Sequence, residues 1–290
     1  APVAPRASTS PSATASASAP PAPSEAPPPP LVPVALPTDM VRVEPASFRM
    51  GEGEAARDVT LTRAYFLDRT EVTVRAYLEC VAQRKCSAAD NVSLPPQNGS
   101  SAGDDADRFI ETWTRRCNEP RGALDHPINC VDFFSAESYC RFRGRRLPTE
   151  AEWELAARGA AARAYPWGAD EPTCATACYD KNIGCFAAGE EVATCGAGSH
   201  AADASPEGAL DLAGNVAEWV ADGFVSPLPG GVDPLGDPGS PSRVVRGASF
   251  NDPASKLFAW SRDPIAPVTA NATIGLRCAM DAEQQPVVIP

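Results

Sequence analysis

The chain has 290 residues, of which 43% are hydrophobic, so it has enough apolar material to fill one or two globular cores. It carries 37 acidic and 25 basic residues, which gives a formal net charge of −12 at pH 7. A surface this negative repels phosphate backbones and anionic headgroups, so the composition disfavours nucleic acids and acidic membranes as partners. No apolar run in the sequence approaches the roughly 18 residues that span a bilayer.

The ten cysteines predict an oxidising environment. Their even number fits five disulfides, which persist outside the reducing cytoplasm. We therefore expect an extracytoplasmic protein that is periplasmic, surface-anchored or secreted. The sequence starts at Ala1 without the charged and apolar regions of a signal peptide, so we expect that any export signal has been removed. N-terminal anchoring is compatible with this expectation.

Residues 1–37 differ in composition from the rest of the chain. They contain 12 of the 31 prolines, and Ala, Ser and Thr fill most of the other positions. Such a segment has little apolar surface to bury and cannot offset the entropy of ordering. We predict a disordered, semi-stiff spacer that holds a folded domain at 38–290 away from a wall or membrane. The alternative is a tail without function.

Short strands are predicted along the folded part. The stretches 41–43 and 48–51 favour an early β-hairpin, and the acidic stretch 104–107 is typical of a solvated loop. After residue 159 the sequence is rich in Gly, Pro, Asp and Asn, which predicts long loops with few strands. Further strands are predicted at 59–61, 65–67, 243–246 and 274–278.

Three helices are predicted from their capping residues. Thr73 is a suitable N-cap for the first helix, and Ser135 for a second that stops at Gly144. The third helix has the best-specified ends, because a Thr-x-x-Glu capping box begins at Thr149 and Gly159 supplies a C-terminal stop. The apolar positions of this helix indicate that it faces a core.

Six short segments of the folded part form a characteristic series. They are 48–51 (Phe-Arg-Met-Gly), 146–154 (Arg-Leu-Pro-Thr-Glu-Ala-Glu-Trp-Glu), 165–168 (Tyr-Pro-Trp-Gly), 214–219 (Gly-Asn-Val-Ala-Glu-Trp), 246–250 (Arg-Gly-Ala-Ser-Phe) and 274–278 (Ile-Gly-Leu-Arg-Cys). Taken in order, these segments resemble the formylglycine-generating enzyme (sulfatase-modifying factor) family. The match extends over roughly residues 39–281 and implies an irregular, loop-rich α+β fold related to C-type lectins. Because members of one fold differ in function, the resemblance implies the fold more directly than an activity.

The copper site of the family's oxidases has no counterpart in this sequence. Those enzymes bind copper(I) through two cysteines that follow a Gly-Gly-Ser-aromatic motif, and copper(I) prefers such sulfur ligands. Here the motif at 247–250 is followed by Asn251 and Asp252, and no cysteine occurs between Phe250 and Arg277. Asp252 lies where the resemblance places the first thiolate. We therefore expect no copper cofactor and no formylglycine-generating oxidation.

The resemblance also implies structural calcium. The family's calcium loop maps onto the side chains of Asp211 and Glu218 and the backbone carbonyls of Gly214 and Val216, an all-oxygen set that suits calcium. The alternative is that Glu218 only caps or pairs locally. A second family calcium site would use two further residues, Asn182 and Ile183.

The cysteine pairing is specified only in part. The resemblance implies a disulfide between Cys140 and Cys278, which would close a loop of more than 100 residues. The remaining eight cysteines form two groups of four, and each group can pair internally in three ways. A zinc site in the second group is an alternative, although its spacing is not that of a zinc ribbon. The groups are Cys80, Cys86, Cys117 and Cys130, and then Cys174, Cys178, Cys185 and Cys195.

Our leading interpretation is an exported binding module of this family. If the family alignment holds, Ser249, Asn251 and Asp252 line a degenerate cleft, with Arg246 and Arg277 nearby. Arginine beside carboxylate recognises planar polar groups, but it forms structural ion pairs equally well. The expected partner is a peptide, a glycan or an envelope protein. The alternatives are an oxidoreductase of the same family, of the non-haem-iron or maturation type, and a purely structural domain.

Overall fold

A computed structural model of the chain describes residues 37–95, 104–179 and 193–282, together with Ala1. Within these ranges the fold is α+β and loop-rich, as the sequence predicts. The helices are α1 (Val74–Ala82), α2 (Asp104–Thr114), α3 (Phe133–Phe142) and α4 (Glu150–Arg158). The strands are β1 (Met40–Val43), β2 (Ala46–Met50), β3 (Arg57–Leu61), β4 (Tyr65–Asp68), β5 (Ala217–Gly223), β6 (Gly231–Val232), β7 (Arg243–Arg246), β8 (Arg262–Ile265), β9 (Ile274–Gly275) and β10 (Ala279–Asp281).

The described strands form three small sheets. Their orders are β1-β4-β10, β2-β3-β6 and β8-β7-β5-β9. The predicted hairpin is wrong, because β1 pairs with β4 and β2 pairs with β3, although both stretches are strands. The connection between them is Glu44-Pro45, and proline cannot adopt the left-handed conformation of the favoured two-residue hairpin turns. The chain therefore passes from one sheet to another at this point.

Two of the three predicted helix starts are correct. The Thr73 hydroxyl accepts a hydrogen bond from the backbone N–H of Ala76 at the start of α1. At α4 both bonds of the capping box at Thr149 are present, and Gly159 ends the helix with a φ of 61°. The predicted start at Ser135 is wrong, because the N-cap of α3 is Asp132, whose carboxylate accepts a hydrogen bond from the N–H of Ser135. Aspartate competes well with serine for this role.

Helix α2 is a second difference from the sequence prediction. The acidic stretch at 104–107 begins this helix and does not form a solvated loop. Acidic residues at a helix N-terminus interact favourably with the helix dipole, which explains why the charges do not prevent a helix here. The rings of Phe109 and Trp113, one turn apart, lie 5.7 Å from each other and support the helix from one side.

Helix α4 lies at the centre of the described domain. All nine of its residues are buried, and it contacts β2, β3, β5 and β7. Because it is covered on every side, its charged side chains need buried partners. Glu154 accepts hydrogen bonds from both Arg158 and Arg246, each at 2.6 Å. This helix therefore fixes the strands that carry the candidate site.

Four disulfides are described, and one joins Cys140 to Cys278, the pair implied by the family resemblance. Cys174 is also disulfide-bonded, and no cysteine in the described ranges is free. This number of disulfides indicates an oxidising environment. In the same ranges, no helix has both the length and the apolar character needed to cross a membrane. The other described pairs are Cys80–Cys86, Cys117–Cys130 and Cys178–Cys195.

Candidate functional site

The loop that leads into β5 carries most of the residues predicted to bind calcium. Asp211, Gly214 and Asn215 all have positive φ angles, of 56°, 92° and 58°. This left-handed backbone is unusual for non-glycine residues and turns the chain sharply before Val216. Gly214 must be glycine, because a Cβ atom there would lie 2.5 Å from the carbonyl oxygen of Cys178.

Glu218, at the start of β5, is committed to partners within the protein. Its two carboxylate oxygens lie 2.9 and 2.7 Å from Nε of Arg277, and one of them accepts from the Trp153 indole at 2.7 Å. Glu218 and Arg277 are both fully buried. The structure therefore shows the alternative in which Glu218 pairs with neighbouring side chains.

Arg277 does not line an open cleft, so its predicted placement is wrong. Its side chain is 0% exposed and donates to the backbone carbonyls of Asp68, Leu210 and Asp211 in addition to Glu218. A guanidinium with five donors suits this arrangement, because each donor finds a carbonyl or a carboxylate. Arg277 thus joins the end of β4, the loop at 210–211 and strand β5.

Two acidic residues that the sequence analysis missed lie beside this pair. Glu71 accepts hydrogen bonds from Asn215 Nδ2 at 2.8 Å and from the N–H of Val216 at 3.2 Å. Asp203 accepts from the N–H of Asp211 at 2.7 Å, and its second oxygen is buried without a hydrogen-bond partner among the described residues. Glu71 precedes Val-Thr at the start of α1, and Asp203 stands alone in an Ala-rich stretch, so neither belongs to a recognisable ligand motif.

The acidic cluster consists of Glu71, Asp203, Asp211 and Glu218, and it has few positively charged neighbours. Burial raises the pKa of all four carboxyl groups, and the neighbouring Asp211 raises the pKa of Asp203 further, to about 8. Arg277 is the guanidinium that acts on all four carboxyl groups among the described residues. Burial beside a single arginine therefore favours the neutral form of these carboxyls, Asp203 among them, unless a cation takes the place of the proton.

The cluster fits a hard cation in part. Asp211 provides a buried carboxylate, and the left-handed loop that follows it contributes backbone carbonyls, which together are the oxygen chemistry that calcium prefers. Glu218 fits less well, because Arg277 already occupies both of its oxygens. No set of three or more His, Cys, Asp or Glu side chains in the described ranges could hold a metal ion, so backbone carbonyls would have to contribute. Asn182 and Ile183, the second predicted calcium site, lie outside the described residues.

The loop after β7, where the copper ligands of the oxidases are expected, is closed by its own side chains. One oxygen of Asp252 accepts from the N–H and the hydroxyl of Ser249, at 2.9 and 2.6 Å. The Ser249 hydroxyl in turn accepts from the N–H of Asn251 at 3.3 Å. Ser249 is 1% exposed, so it supports the turn and does not line a cleft. Further along the loop, Leu257 is fully buried in an apolar cluster.

Arg246 is also a structural residue, and its predicted place in the cleft is wrong. It is 1% exposed and bridges Glu150 and Glu154 of α4 at 2.9 and 2.6 Å, while it donates to the carbonyl of Ala259. The ion-pair alternative therefore applies to both arginines. Among the three residues predicted to line the cleft and the two arginines expected nearby, only Asn251 and Asp252 are partly exposed. Burial of this kind has no signature in a short motif.

A column of four stacked aromatic rings flanks the same loop. The rings of Tyr165 and Trp167 lie 5.1 Å apart, those of Tyr165 and Phe258 also 5.1 Å, and those of Phe258 and Trp260 4.5 Å. Tyr165 is buried, whereas the other three rings are partly exposed. The buried guanidinium of Arg158 lies 4.9 Å from the centre of the Trp260 ring. The family segment at 165–168 pointed to the first two rings, but nothing in the sequence placed Phe258 and Trp260 against them.

The alternative zinc site in the second cysteine group does not agree with the structure. Cys178 and Cys195 form a disulfide, and Cys174 is disulfide-bonded as well. A cysteine in a disulfide has no thiolate to offer a metal. Cys178 also holds the loop that is predicted to bind calcium, because its carbonyl accepts the N–H of Asn215 at 2.7 Å.

The comparisons with known proteins define the class of protein to which this chain belongs. Residues 28–282 match the sulfatase-modifying factor enzyme 1-like domain, and the chain belongs to this family. It is 32% identical to the formylglycine-generating enzyme of Streptomyces coelicolor over 287 aligned residues, covering 84% of this chain and 89% of the relative. Relatives of this chain therefore include an oxidase-type protein.

Two further comparisons concern the extent of the match. The chain is 30% identical to the serine/threonine-protein kinase Pkn1 of Chlamydia trachomatis over 87% of its own length, but it spans only 39% of that relative. In structure it is similar to PvdO from Pseudomonas aeruginosa, with a TM-score of 0.59, 21% identity and coverage of 83% of this chain and 94% of PvdO. At that identity the likeness supports the shared fold alone.

Proposed function

We propose that this chain is an extracytoplasmic binding module of the sulfatase-modifying factor family that does not carry out the formylglycine-generating oxidation. The observation that carries the proposal is the loop after β7, where Asp252 stands in the place of the first copper ligand and is held by Ser249. Copper(I) needs soft sulfur ligands, and the described cysteines are all in disulfides. The disulfides also support a location outside the cytoplasm.

Structural calcium is part of the proposal. The ion would be held by the Asp211 carboxylate and by the backbone carbonyls of Gly214 and Val216. Glu218, which is paired with Arg277, would lie beside it. A bound calcium ion supplies positive charge to the acidic cluster and would fix the left-handed loop between Cys178 and β5. Glu71 lines an open cavity of about 140 Å³, so the cluster lies close to solvent from which the ion could enter.

The binding surface that we propose is the partly exposed part of the loop at 251–260 together with the rings of Trp167 and Trp260. Loops on a rigid scaffold are common binding surfaces, and here the fixed turn at Ser249 and the aromatic column supply the rigidity. The expected partner is a peptide, a glycan or an envelope protein.

An aldehyde assay with a metal analysis tests the proposal. The purified protein, with its disulfides intact, is loaded with copper(I) and incubated with a Cys-x-Pro-x-Arg peptide, and the formylglycine aldehyde is measured by mass spectrometry. The formylglycine-generating enzyme of Streptomyces coelicolor serves as the positive control. We expect no aldehyde, and calcium as the only stoichiometric metal after purification without chelator. Aldehyde formation would contradict the proposal, and stoichiometric iron would favour the oxidoreductase alternative.

A further inference from the structure

We propose that Asp203 is the second acidic ligand of the calcium site, in the place that the family resemblance gives to Glu218. This inference rests on the proposal above that the loop at 211–216 holds calcium. It concerns which carboxylates of the acidic cluster face the ion, and it follows from the partners that each carboxylate has in the structure.

Glu218 is not free to bind a cation. Arg277 donates to both of its oxygens, and Trp153 donates to one of them. To bind calcium, Glu218 would have to share its oxygens between the ion and a fully buried guanidinium, which would weaken its hold on Arg277. A divalent ion next to Arg277 would also repel it, because both are positive and the site is buried.

Asp203 is in the opposite situation. It is 1% exposed, one oxygen accepts the N–H of Asp211 at 2.7 Å, and the other oxygen is buried with no hydrogen-bond partner among the described residues. Asp211 raises the pKa of Asp203, so the two carboxyl groups are close enough to interact electrostatically. A buried carboxylate oxygen without a donor costs free energy unless something positive faces it.

The described protein groups around this pair supply that positive charge only in part, since Arg277 acts on both aspartates through space and His200 acts on Asp211. Arg277 is directed at Glu218 and at the carbonyls of Leu210 and Asp211, and Gly198 donates only a backbone N–H to Asp211. A hard divalent cation between Asp203 and Asp211 would satisfy the free oxygen and remove the repulsion between the two carboxylates. Two carboxylates, two loop carbonyls and water are enough for the six to eight oxygen ligands of calcium.

The bond between Asp203 and the N–H of Asp211 gives the site its shape. Asp211 has a φ of 56°, a conformation that costs free energy for a non-glycine residue and needs support from its surroundings. Asp203 holds this N–H, while Gly198 donates to the Asp211 carboxylate from the other side. The two aspartates are therefore fixed relative to each other before an ion arrives, which favours binding.

The variant Asp203→Asn tests the inference, since asparagine keeps an acceptor for the Asp211 N–H and removes the charge. Calcium affinity is measured by titration calorimetry and the unfolding temperature with and without calcium. We expect the variant to bind calcium about 10- to 100-fold more weakly. Without calcium we expect it to be at least as stable as the wild type, because the carboxylate repulsion is gone. Asp222→Asn is the matched control, a buried aspartate outside the cluster that also accepts backbone N–H groups, and its calcium affinity should equal that of the wild type.

The outcomes separate the two proposals. If the wild type does not bind calcium, the calcium part of the proposed function is overturned. If the wild type binds calcium and Asp203→Asn binds it equally well, only the role of Asp203 is overturned. A second measurement needs no variant: in a wild-type crystal soaked with terbium(III), the anomalous peak should lie within bonding distance of Asp203 and Asp211. A peak bonded to Glu218 and not to Asp203 would overturn the inference.

Discussion

Arg277 and Glu218 form a fully buried ion pair that joins two segments of the family resemblance 59 residues apart in the chain. The Nε atom of Arg277 lies 2.9 and 2.7 Å from the two carboxylate oxygens, and Trp153 of the family segment 146–154 donates to one of them. Three sequence motifs therefore meet at one carboxylate. Their shared role in this chain is to hold β5, α4 and the end of β9 together.

The first prediction concerns this pair. Arg277→Gln should destabilise the protein by about 3–5 kcal/mol, because Glu218 would be left buried without its positive partner. The measurement is urea unfolding followed by tryptophan fluorescence. Arg75→Gln is the control, since Arg75 and Asp125 form an exposed ion pair at 2.8 Å that should contribute at most about 1 kcal/mol. Equal losses in the two variants would contradict the structural role of the buried pair.

The second prediction is a pH dependence that involves Asp222. Burial raises the pKa of Asp222 to about 6 in the folded protein from 3.8, although it accepts the N–H groups of Glu150 and Gly236. The folded state thus holds this proton more tightly than the unfolded state. The resulting stability is fully present below pH 3.8 and is lost as the pH rises through 6, by up to about 3 kcal/mol.

Comparison with Asp222→Asn isolates this group from the others that titrate. The variant cannot ionise at this position, so its free energy of unfolding relative to the wild type should rise between pH 4 and pH 7. Unfolding is measured in urea at several pH values with a calcium chelator present. A difference between the two proteins that does not change with pH would rule out the raised pKa.

The third prediction concerns the long disulfide. Cys140–Cys278 closes a loop of 138 residues, whereas Cys80–Cys86 closes one of 6. In the chain-entropy model, removal of the long loop costs about 5 kcal/mol and removal of the short one about 2 kcal/mol. The two double Cys→Ala variants should therefore differ clearly in their thermal unfolding temperatures. The reverse order would show that these disulfides do not act mainly through the unfolded chain.

The fourth prediction tests the left-handed loop. Gly214→Ala should destabilise the protein by about 3 kcal/mol or more, because the new Cβ meets the Cys178 carbonyl at 2.5 Å and φ is 92°. Gly122→Ala is a matched control with a φ of 65° and no atom within 4 Å of the new Cβ, so only the backbone cost of about 1–2 kcal/mol applies. The measurement is the unfolding temperature of each variant relative to the wild type. A similar loss of stability in both variants would mean that the contact with Cys178 is easily relieved.

The sequence predicts local structure well where the signal lies within one turn of helix. Thr149 and Glu152 are three residues apart and form both capping-box bonds in the structure. Strand pairing is not local, and the stretches expected to form a hairpin pair with other strands because Pro45 prevents a tight turn. Local signals can also compete: the N-cap of α3 is Asp132 and not Ser135, because two good capping residues lie within one turn of each other.

The candidate site was harder to predict than the fold. Family resemblance pointed to the loop at 211–218, whose calcium stays a prediction. It could not show that Arg246 and Arg277 are buried, because the same arginine motif occurs in clefts and in cores. Asp203 is invisible in the sequence, since its role comes from its contact with Asp211 eight residues later. Partners of this kind are set by the tertiary structure.

The most direct test of the central claim is the retention of copper(I) by the wild-type protein against a copper(I) chelator under conditions that keep the disulfides intact. The account predicts that the chelator removes all of the copper, because an aspartate held by Ser249 replaces the first sulfur ligand. The account would be contradicted if the wild type retained one copper(I) per chain, if the variant Asp252→Ala lost that copper, and if the variant Asp203→Asn kept it.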